Sequence, residues 1–121
     1  MTYTHPLFKW LVLASALAFQ PAHAQDNPPL KIVVGFPPGG SADVMARLVA
    51  DGLRDDFGPI TVENKPGAAG NIGAEQVAKS APDGYTVLFG IDTTFTVNPH
   101  IYKSMPFRME DFKPVMVLAS S

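Results

Sequence analysis

The chain has no cysteine in its 121 residues, which excludes disulfide cross-links and thiolate metal sites in any compartment. Its stability must come from a packed core. It also lacks an excess of positive charge, with 9 Lys and Arg against 11 Asp and Glu, so there is no basic surface of the kind that holds nucleic acid. No apolar run is long enough to cross a bilayer. The stretch at residues 10–19, from Trp10 to Phe19, has ten residues where roughly 20 are needed. Repeats and low-complexity tracts are absent as well, so disorder is not expected beyond a polar stretch at residues 25–29.

What is present begins with an export pattern. A short polar start carrying His5 and Lys9 leads into that apolar run, followed by Gln20-Pro21 and the small-residue pattern Ala22-His23-Ala24. Residues 1–24 therefore read as a secretory signal peptide cleaved before Gln25. No cysteine follows to carry a lipid, so the expectation is a soluble periplasmic protein with no membrane insertion after cleavage. Removing Lys9 leaves 8 basic and 11 acidic residues, a formal charge of −3.

The mature stretch, residues 25–121, alternates strand and helix patterns. Lys31-Ile32-Val33-Val34-Gly35-Phe36 is short, β-branched and apolar on both faces, as in a buried parallel strand. Pro37-Pro38-Gly39-Gly40 breaks it, and Ser41 is placed as N-cap of a helix over residues 42–56. Val44, Met45, Leu48, Val49 and Leu53 form its apolar side, and Phe57-Gly58-Pro59 ends it. A second strand is predicted at residues 60–63. The turn Lys65-Pro66-Gly67-Ala68-Ala69-Gly70-Asn71 then feeds a helix that packs through Ile72, Val77 and alanines. After Pro82-Asp83-Gly84 come a third strand at 85–91, the bend Asp92-Thr93-Thr94, a short helix near 95–102 and a fourth strand at 115–119. The order predicts an α/β fold with a mainly parallel sheet.

In such a sheet, ligands lie beyond the C-terminal ends of the strands. Gly39-Gly40-Ser41 and Gly70-Asn71 would each open a helix there, where free amides and about half a positive charge favour an anion. Carboxylate and phosphate fit equally. The same glycines also serve simply to turn the chain, and spacing does not choose between the roles. Asp43, in the first helical turn, would repel an anion if it faced one, so it reads as structural, positioning the 37–41 loop. Thr93 and Thr94 are either hydroxyl donors to a ligand or bend-formers.

Catalytic patterns fail residue by residue. Gly39-Gly40-Ser41 has no adjacent lysine for a phosphate loop, Gly39-Gly40-Ser41-Ala42-Asp43 lacks the last glycine of a nucleophile elbow, and the mature stretch has one histidine, His100. The acidic pairs Asp55-Asp56 and Glu110-Asp111 suit solvent. Neither an enzyme, a metal nor a cofactor is expected.

As a set, Lys31-Ile32-Val33-Val34, the segment from Phe36 to Asp43, the segment from Val62 to Gly73, Ala81-Pro82-Asp83-Gly84-Tyr85-Thr86, Asn98-Pro99, Asp111-Phe112 and Val117-Leu118-Ala119-Ser120-Ser121 resemble the Bug receptors, the substrate-binding family of tripartite tricarboxylate transporters. The resemblance implies a periplasmic-binding-protein-like Venus flytrap of type II, in which two α/β domains close on a small organic carboxylate and pass it to the membrane components of the transporter. It also implies that Gly39, Gly40, Ser41, Ala69, Gly70 and Asn71, and secondarily Thr93 and Thr94, contact ligand. Against that pattern, residues 25–121 are expected to form the N-terminal part of domain 1, without domain 2 or the returning part of domain 1. The alternative is a receptor that presents ligand to a sensor, or a non-functional remnant. A fragment of this kind is expected to be weakly stable and to bind poorly.

Overall fold

The computed structural model describes residues 28–119, so the expected signal peptide lies outside the described residues. Strand β1 (Lys31–Val34) has Ile32, Val33 and Val34 all buried, as its β-branched run demands of a central strand. It lies between β2 (Thr61–Asn64) and β3 (Thr86–Phe89) in a parallel sheet of order β2-β1-β3. Ile32 stands opposite Val62 and Val87, and Val34 opposite Asn64 and Phe89. The strands are shorter than the apolar runs that announce them.

Helix α1 (Ser41–Gly52) covers the face that carries Ile32 and Val34. Its buried side differs from the expected one. Ala46 and Ala50 face the sheet, flanked by Ala42 and Val49, whereas Val44 is 50% exposed and Leu48 65%. Alanines one turn apart let the helix axis sit close to the strands, and that proximity excludes the larger side chains. The single helix expected over 42–56 is divided at Leu53, and α2 (Arg54–Phe57) follows. Gly52, a weak helix former, sits just before the break. Gly40, not Ser41, is the N-cap of α1, and no side chain caps it.

Side chains alternate along a strand, so Val33 and Gly35 look toward the other face, where α3 (Asn71–Ala78) crosses β1 and β3. The approach is backbone on backbone. A Cβ on Gly35 would come 2.9 Å from Gly70 Cα, and one on Gly73 would come 2.9 Å from Gly35 Cα. Ala74 and Gly73 are buried, while Ile72, expected in the interface, is 48% exposed. Beyond β3 the predicted short helix is two single turns, α4 (Thr93–Thr96) and α5 (Asn98–Ile101). Phe95 of α4 meets Phe107 and Phe112 edge to face, with ring centroids 5.9 and 5.2 Å away. Those two rings lie 5.6 Å from each other, making a satellite core that fixes α4.

The fourth strand does not form. Residues 115–119 have no ladder, and Val115, Met116 and Val117 are 85%, 69% and 83% exposed. A β-prone run needs a neighbouring edge for its amides and carbonyls, and among the described residues none pairs with it.

Candidate functional site

All three strands end on the same side of the sheet. The chain leaves β1 for α1 on one face and leaves β2 for α3 on the other, so both loops lie beyond the strand ends, where open α/β sheets hold their ligands. The two loops cross there. Lys65 N–H donates to Val34 O at 2.8 Å, and the Gly35–Gly70 contact holds the loops together.

The β1 loop is shaped from within by Asp43. This residue is 3% exposed, and its carboxylate accepts from Gly39 N–H at 2.8 Å, Arg47 Nε at 3.0 Å and Asn64 Nδ2 at 2.9 Å. Asn64 Nδ2 also donates to Phe36 O, and Arg47 donates to Asn64 Oδ1 at 3.2 Å. The Arg47 guanidinium foremost, then the Gly39 amide and Asn64, lower the Asp43 pKa from 3.8 to about 2. The carboxylate is thus a fixed anion turned into the loop, and it orients Gly39 through its N–H. Gly39, Gly40 and Ser41 themselves are exposed at the start of α1.

The β2 loop has an unusual backbone. Gly67, Ala68, Ala69 and Gly70 have φ values of 134°, 48°, 53° and 91°, four positive angles in succession. For the alanines such a conformation costs about 1–2 kcal/mol each, and it must be imposed by its surroundings. The Ala69 carbonyl accepts from Thr94 Oγ1 at 3.2 Å and from Asn98 Nδ2 at 3.0 Å. The other Asn98 amide hydrogen goes to Asn71 Oδ1 at 2.7 Å, and Asn71 Nδ2 donates to Met105 Sδ at 3.6 Å. Gly70 is required twice over, since a Cβ there would meet Thr94 Oγ1 at 2.8 Å.

The residues named from sequence therefore divide. Gly39, Gly40, Ser41, Ala69 and Thr93 are exposed, whereas Gly70, Asn71 and Thr94 are buried, with the Asn71 and Thr94 side chains bonded inside the protein. Thr93 N–H is held by Asp92 Oδ1 at 2.8 Å. Sequence reasoning did not single out Arg47, Asn64 or Asn98 as site-forming. Asn98 announced itself only through the dipeptide Asn98-Pro99. Among the described residues no cluster of His, Asp and Glu suits a metal ion, and no helix is long and apolar enough to cross a membrane.

A parallel sheet wound to both faces, with glycine loops at its strand ends, is shared by many α/β proteins, and similarity to solved structures places this one in the periplasmic-binding-protein class. A solved structure described as that of a periplasmic transporter superposes with a TM-score of 0.61 at 42% identity, over 66% of this chain and 27% of that one. The profile of the tripartite tricarboxylate transporter family receptor matches residues 45–121, and the chain belongs to that family. It is 42% identical over 106 residues to an uncharacterised-family (UPF0065) protein of Bordetella pertussis, covering 85% of this chain and 33% of that protein. Protein BugT of the same bacterium is 41% identical over 113 residues, with 89% and 35% covered. The chain spans about a third of the length of these curated relatives.

Proposed function

We propose that residues 25–121 form the N-terminal part of the first domain of a periplasmic solute receptor, exported by the signal at residues 1–24, and that they supply one wall of its ligand cleft. The ligand is a small organic carboxylate, handed on to the membrane components of a tripartite tricarboxylate transporter. The observation that carries this reading is the exposed Gly39-Gly40-Ser41 entry to α1, a twelve-residue helix whose first amides have no partner within the helix. Arg47, the cation beside that entry, is engaged by Asp43 and Asn64, so the backbone and the Ser41 hydroxyl are left to recognise the anion. A carboxylate held by amides keeps its charge without a fixed counter-ion, which suits a receptor that must release it.

Calorimetry with citrate, glutamate and benzoate tests the reading. One of the three is expected to bind, weakly because these residues supply one wall of the cleft, and Ser41→Trp is expected to weaken that binding by on the order of tenfold, equivalent to about 1.4 kcal/mol. No heat with any of them, or an affinity indifferent to Ser41→Trp, removes the basis of the assignment.

A further inference from the structure

Four consecutive positive φ angles make residues 67–70 a loop that two alanines would not adopt unaided. What imposes the shape comes from far along the chain. Asn98, at the start of α5 and 2% exposed, uses both hydrogens of its side-chain amide on this loop and its exit, one on Ala69 O and one on Asn71 Oδ1. Thr94, 1% exposed, fills the second lone pair of the same carbonyl. These buried polar groups are satisfied only while the Ala69 carbonyl points inward. Pointing it inward fixes the peptide plane between Ala69 and Gly70, while Ala68 and Ala69 themselves are exposed. The clamp is itself anchored, because α4 is fixed by the contacts of Phe95 with Phe107 and Phe112.

We infer that Asn98 is a positioning residue of the binding site, holding the 67–70 loop in its left-handed form through the Ala69 carbonyl without touching the ligand. The inference rests on the receptor reading for the purpose of the loop, but the conformational claim does not depend on it. Glycine adopts positive φ freely. A loop forced into shape by Asn98 should therefore depend on that residue less when Ala68 and Ala69 are replaced by glycine.

The test uses the whole 121-residue chain in four forms. They are wild type, Asn98→Ala, Asn98→Ala with Ala68→Gly and Ala69→Gly, and Ile32→Val as a core variant on the α1 face of the sheet. Two quantities are read, the strong intraresidue HN–Hα NOE that positive φ produces at residues 68 and 69, and citrate affinity by calorimetry. Asn98→Ala is expected to weaken both NOEs and to lower affinity by on the order of tenfold, the low end of the effect when a supporting contact behind a binding group is removed. The glycine pair should recover most of that affinity. Ile32→Val should lower the melting temperature with neither NOE nor affinity changed. If Asn98→Ala does not fold, Thr94→Val removes the other donor to the same carbonyl with its shape kept, and carries the same NOE reading. Undiminished NOEs in these variants, or no recovery with glycine, overturn the inference. If wild type does not bind citrate, the receptor reading fails for that probe while the NOE arm still decides the role of Asn98.

Discussion

Asp43 sits in the first turn of α1, where a carboxylate ordinarily interacts with the helix dipole, yet here its oxygens are taken up by Gly39, Arg47 and Asn64. Its folded pKa of about 2 lies below the ordinary 3.8. The unfolded chain therefore binds a proton more readily, so this contribution to stability is complete above about pH 4 and is lost as pH falls toward 2. Asp43→Asn should be less stable than wild type at neutral pH, with the gap narrowing between pH 4 and 2 when denaturant titrations are repeated across that range. Glu63 follows the same sign, its pKa lowered chiefly by Lys65, 2.8 Å away. Gly70 makes a different kind of demand. Gly70→Ala places a Cβ against Thr94 Oγ1 in a left-handed residue, and should destabilise by about 2 kcal/mol or more in urea unfolding.

Helix α1 shows why size is a poor guide to which face of an element is buried. Its large aliphatics, Val44 and Leu48, point outward, and its alanines carry the contact with Ile32 and Val34. Leu48→Ser should accordingly change unfolding free energy by no more than about 0.5 kcal/mol. Ala46→Leu, at a fully buried position, should cost about 1–3 kcal/mol through overpacking. A Leu48 variant as damaging as the Ala46 variant would mean that the helix packs through its aliphatic side after all. The strand ends follow a related rule. Gly35 belongs to the apolar run of β1, but backbone contact with Gly70 and Gly73 takes the place of further pairing. At residues 115–119 the β-prone pattern is present but no partner strand pairs with it among the described residues, so composition announced a strand that no ladder completes there.

At the scale of the whole molecule, the receptor reading makes a linkage prediction. A carboxylate that binds only the folded chain should add about 2.7 kcal/mol of stability at 100 times its dissociation constant, raising the melting temperature in a concentration-dependent way. No shift with citrate, glutamate or benzoate would count against binding by this chain. The alternation of β-branched runs with helix-forming segments and glycine breaks was enough to establish a parallel α/β sheet and to place loops after β1 and β2, because those signals are local in sequence. Local signals also suggested Asp43 as a residue of the β1 loop, since Gly39 lies only four positions away. The bonds of Asn71 and Ala69 to Asn98 span 27 and 29 positions, and that of Asn64 to Asp43 spans 21. No pattern in the chain predicts such pairings. Which asparagine reaches which carbonyl, and which face of α1 meets the sheet, is decided only when β1 sits between its neighbours and both helices close on it, because burial and hydrogen-bond partners belong to the packed chain.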